Sequence, residues 1–98
     1  MRAAPPRSYA RPVPRYFVER TFSAELRLPA ANDRTGHVEL NADEGVTWLH
    51  SYVSSDDKRS YCVCEAPTPE AIRKAATRNR LPVDRITEIR LLDPYLHA

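Results

Sequence analysis

Two runs near the middle of the chain constrain its fold more than any other feature. Val46-Thr-Trp-Leu-His-Ser-Tyr-Val53 and Ser60-Tyr-Cys-Val-Cys-Glu-Ala66 are rich in β-branched and aromatic residues and flank a polar stretch of hairpin length, Ser54 to Arg59. This pattern predicts two antiparallel strands joined by a turn. A helix start follows directly: after Pro67, Thr68 stands as an N-cap, Pro69 at the first helical position and Glu70 in the first turn. Ile72, Ala75 and Ala76 supply its apolar stripe, and Asn79 reads as a left-handed stop.

The flanking segments complete the pattern. Arg15 to Phe22 reads as a strand, with Tyr16, Val18 and Phe22 toward a core and Phe17, Glu19 and Thr21 on the other side. Between Pro29 and Gly45, Asn32 or Asp33 caps a short helix reaching about Asp43, with Val38 and Ala42 on one face and Gly45 closing it. In the second strand Leu49, Ser51 and Val53 share one face, while Trp48, His50 and Tyr52 share the other. After Leu81-Pro-Val-Asp, residues Arg85 to Leu92 form a last strand, ended by Asp93-Pro94, with Ile89 and Leu91 toward the helices. The order strand, helix, strand, strand, helix, strand predicts an α+β, ferredoxin-like βαββαβ fold. Its four-stranded antiparallel sheet carries two helices on one face and leaves the other open.

Ninety-eight residues hold one core. The formal net charge of +2 is unevenly placed, because residues 1 to 12 carry Arg2, Arg7 and Arg11 and no acid. What remains has twelve basic against thirteen acidic residues, so the folded part is not basic and nucleic acid is not the expected partner. With four prolines among the first fourteen residues, segment 1–13 reads as a disordered Pro/Arg-rich tail ahead of a ferredoxin-like domain at 14–98. The sequence shows neither an apolar run of membrane-spanning length nor a signal-peptide core. A soluble, cytoplasmic protein without a membrane partner is the expectation.

On the predicted open face stand Glu19, Trp48, His50, Tyr52, Tyr61, Glu65 and, from the last strand, Glu88 with Arg90. Imidazole and carboxylate suit borderline divalent metals such as Ni²⁺, Zn²⁺ or Co²⁺, so Glu19, His50 and Glu65 form the candidate ligand set. The bland reading is that His50 bonds a carboxylate or fills a dimer interface. Trp48, Phe17 and Tyr61 motivate a homodimer, because exposed aromatics on a small sheet seek a partner surface. Cys62 and Cys64 share the helix-covered face and read as core packing, while His37 and His97 read as surface residues. The chain has two glycines and no phosphate loop, nucleophile elbow or H-E-x-x-H, which favours a non-enzymatic protein with no catalytic residues. The alternative is a dimeric α+β-barrel enzyme or small-molecule binder using the open face, with His50 and Tyr52 as acid and base.

The runs R-Y-F-V-E-R-T-F (15–22), G-V-T-W-L-H-S-Y-V-S (45–54), Y-C-V-C-E-A-P-T-P-E-A-I-R-K-A-A (61–76) and L-P-V-D-R-I-T-E-I (81–89) resemble a known family. It is a family of small actinobacterial ferredoxin-like proteins of unknown function, in part labelled nickel-binding. The likeness spans about Pro14 to Tyr95. It implies a ferredoxin-like fold, a dimer, and binding of nickel or a similar divalent ion at the surface; sequestration of the ion is the expected role. Family members carry a fuller first helix, whereas here Asn32 to Glu44 is shorter and contains Gly36. They also tend to begin at the equivalent of Val13-Pro14-Arg15-Tyr16, which predicts Val13 as the native start.

Overall fold

The computed structural model describes residues 13–23 and 31–95, with the side chains of residues 31–36 outside that description. Residues 1–12 of the expected 1–13 tail lie outside it, as does His97. Strand β1 is Arg15–Thr21, helix α1 Ala31–Asp43, β2 Thr47–Val53, β3 Arg59–Glu65, α2 Pro69–Asn79 and β4 Arg85–Ile89. The four strands form one antiparallel sheet in the order β2-β3-β1-β4. This is the ferredoxin-like α+β arrangement expected from the element order.

Local chemistry explains the best-formed elements. Thr68 is extended, and its hydroxyl accepts a hydrogen bond from the Ala71 N–H at 3.2 Å, satisfying one of the orphan donors of α2. In the β2–β3 turn the Ser54 hydroxyl donates to Asp56 Oδ1 at 2.6 Å and accepts from the Arg59 N–H at 3.0 Å. The Ser54 hydroxyl first, and then the Lys58 N–H, hold the Asp56 carboxyl below the usual carboxylate range. Gly45 follows α1 at φ +77°, a left-handed conformation that favours glycine.

Several details differ from the sequence expectation. Helix α1 starts at Ala31, so Asn32 and Asp33 lie inside its first turn rather than ahead of it, and it runs through Gly36. Val38 and Ala42 are exposed, so they form no core stripe. The left-handed residue after α2 is Arg80, at φ 58°, and its N–H bonds the Ala76 and Thr77 carbonyls. Asn79 remains helical and donates to Asn41 of α1 at 3.0 Å.

The core lies between the sheet and the helices. Tyr16 and Val18 of β1, Cys62 and Cys64 of β3, Val46, Ala66, and Ile72 and Ala75 of α2 make up its buried cluster. Cys62 and Cys64 are free thiols that pack there as small hydrophobes, as expected. Most of these side chains are small, and that shapes the site described below.

Candidate functional site

Pairing register assigns every strand residue to a face. On the open face the rows across the sheet are Thr47, Glu65, Arg15, Ile89; then His50, Val63, Phe17, Thr87; then Tyr52, Tyr61, Glu19, Arg85. His50, Tyr52, Tyr61, Glu19 and Glu65 therefore lie where the sequence put them. Phe17 and Tyr61 stack with ring centroids 5.8 Å apart, and the His50 and Tyr52 rings meet edge-on at 5.3 Å. Arg15 reaches across the first row to Glu65 Oε2 at 3.0 Å.

Two predicted members of this face sit on the other one. The register shifts between Trp48 and His50, so Trp48 pairs with Cys64 while His50 pairs with Val63, leaving Leu49 as an extra residue. A bulge of this kind breaks strict alternation. Trp48 turns toward the helices, packs against the core cluster and donates its indole N–H to Ser51 Oγ at 2.8 Å. Glu88 pairs with Tyr16 and so lies on the helix side, while Thr87 and Ile89 face the open side. Ile86 packs on the core, and β4 ends at Ile89 with Leu91 exposed. The Tyr16 phenol is pushed up by burial, and next by the Glu88 and Glu70 carboxylates.

On the helix side the sheet and α2 do not fill the space between them. A cavity of about 260 Å³ is lined by Trp48, Cys62, Cys64, Ile72, Ala75 and Ala76, with half-buried Phe22, His37 and Leu81 also contributing. Its origin is the small side chains that face each other: Ser60, Cys62 and Cys64 on β3, and Ala75 and Ala76 on α2. Arg20, not among the candidate residues named above, also lines it and is only 8% exposed. The signal was present, because Arg20 continues the Tyr16, Val18 alternation onto the buried face.

A family model described as nickel responsive protein SCO4226-like matches residues 16–89. The chain belongs to this family. The crystal structure of SCO4226 from Streptomyces coelicolor A3(2) is similar at a TM-score of 0.62 and 17% identity, covering 81% of this chain and 99% of that one. At that identity the likeness speaks to the fold. No curated protein matches the chain.

The family description raises the question of a metal, and a single copy of the chain does not assemble one site from the proposed ligands. Glu65, His50 and Glu19 stand on three strands and in three successive rows. Neighbouring strands lie about 4.8 Å apart and same-face residues about 6.7 Å apart along a strand, whereas donors sit about 2 Å from a shared ion. Glu65 is also engaged by Arg15. Among the described residues no three His, Cys, Asp or Glu side chains are grouped so as to hold an ion. Burial pushes the Cys64 thiol up to about 11. No described helix of the chain is long and apolar enough to cross a membrane.

Proposed function

We propose that the chain is a non-enzymatic, cytoplasmic protein that binds nickel or a similar divalent cation as cargo for sequestration, and that it does so as a homodimer joined through the open sheet faces. The observation that carries this reading is membership of the nickel-responsive family over residues 16–89. The open face supports the dimer, since Phe17, Tyr61, Val63 and Ile89 give it an apolar centre beside charged and polar margins. His50 and Tyr52 on the sheet-edge strand β2 are exposed. In this reading one copy disperses its donors over three rows, and the second copy supplies what each site lacks, with His50 as the imidazole ligand and Glu19 and Glu65 as carboxylates. Trp48 and Glu88, turned to the helix side, are left out of it.

The test is calorimetric titration with Ni²⁺ alongside sedimentation analysis. Wild-type protein is expected to bind as a dimer, His50→Ala to lose at least tenfold in affinity, and His37→Ala to behave as wild type. A monomer that binds nickel fully, or His50→Ala with unchanged heat and stoichiometry, overturns the proposal.

A further inference from the structure

The helix-side cavity carries an inference separate from nickel. An engineered apolar cavity of about 150 Å³ accepts benzene, so about 260 Å³ is room for one ring with a short appendage. Its walls are mostly apolar, with one buried cation among them. Arg20 Nη1 donates to the Pro82 carbonyl at 2.8 Å, while its Nε is buried and has no partner. Among the described residues no carboxylate pairs with this guanidinium. A buried charge without a counter-ion is costly, and a buried donor without an acceptor adds to that cost. Asn79 Oδ1, which also lines the cavity, is a second buried polar atom without a donor.

We propose that this cavity binds a small monocarboxylic acid with an apolar body of about one ring, its carboxylate held by Arg20 Nε and its body packed against Cys62, Cys64, Ile72 and Ala75. The carboxylate supplies both the missing acceptor and the missing counter-charge. Small side chains on β3 and α2 supply the space, and a hydroxyl or amine on the acid would satisfy Asn79 Oδ1. The site lies across the sheet from the proposed metal-binding face, so the two can be tested separately.

Trp48 lines the cavity and is the chain's single tryptophan, so its fluorescence reports occupancy. The full chain, in buffer containing a metal chelator, is titrated with 3-phenylpropionate and with the uncharged 3-phenylpropanamide. The acid is expected to change Trp48 emission saturably and to bind about ten- to a hundredfold tighter than the amide, the range a hydrogen bond to a charged group contributes. In Arg20→Gln the preference should fall to near parity. On wild-type protein the acid should also slow alkylation of Cys62 and Cys64 by iodoacetamide, and this measurement decides the matter if Arg20→Gln does not fold. Absence of saturable binding, equal affinity for acid and amide, a preference retained in folded Arg20→Gln, or unprotected thiols each overturns the proposal.

Discussion

Deleting Leu49 is a sharp test of how β2 is built. Removing one residue from a strand ordinarily moves everything on one side of the deletion to the opposite face. Here Trp48 pairs with Cys64 and His50 with Val63, and Cys64 and Val63 are adjacent in β3. Without Leu49 the two strands match residue for residue, with Trp48 still toward the helices and His50 still toward the open face. The loss is the buried part of a Leu49 side chain that is 38% exposed, at most about 1–2 kcal/mol. A regularised ladder returns on the order of 1 kcal/mol. The net change should stay within about 1 kcal/mol. Deleting Val63 from β3, which is paired on both sides, has no such escape: it turns either Cys62 and Ser60 or Cys64 out of the core. Its cost should be on the order of 4 kcal/mol, a large share of the roughly 5–15 kcal/mol available to a small domain. Urea unfolding followed by circular dichroism and Trp48 fluorescence measures both. A loss above about 3 kcal/mol for the Leu49 deletion, or solvent-like Trp48 emission in its folded state, would refute the bulge assignment.

Two further outcomes follow from the helix side. The Cys64 thiol sits at about 11 in the fold against an ordinary 9.0, so folding disfavours its ionised form. The stability this involves is complete below pH 9 and is lost as pH rises toward 11, by about 2–3 kcal/mol in total. Denaturation midpoints measured from pH 8 to 11 should show this decline, and Cys64→Ala should flatten it. Thr68→Ala removes the cap of α2 and should cost about 1 kcal/mol in urea unfolding, with Thr68→Ser close to wild type.

Much of the fold was legible locally. The hairpin, the capped start of α2 and the burial of Cys62 and Cys64 follow from alternation, turn chemistry and capping, which neighbouring residues carry among themselves. The misreadings on the sheet share one cause. Strict alternation put Trp48 with His50, and with apolar residues of both parities in Ile86, Ile89 and Leu91 it placed Ile89 and Leu91 toward the helices, the wrong phase for β4. Only hydrogen-bond pairing with a neighbouring strand settles such a phase.

Taken alone, the sequence determined the element order and therefore the ferredoxin-like sheet, because periodicity and capping are properties of short segments. It also determined that β3 and α2 would face each other with small side chains. The tertiary structure decided what those segments build together: a bulge that turns Trp48 inward, a Glu19, His50 and Glu65 set spread over three rows, and a cavity with Arg20 in its wall. These depend on register and on the distance between layers, which arise only when strands that are remote in the chain pair and the helices settle across them.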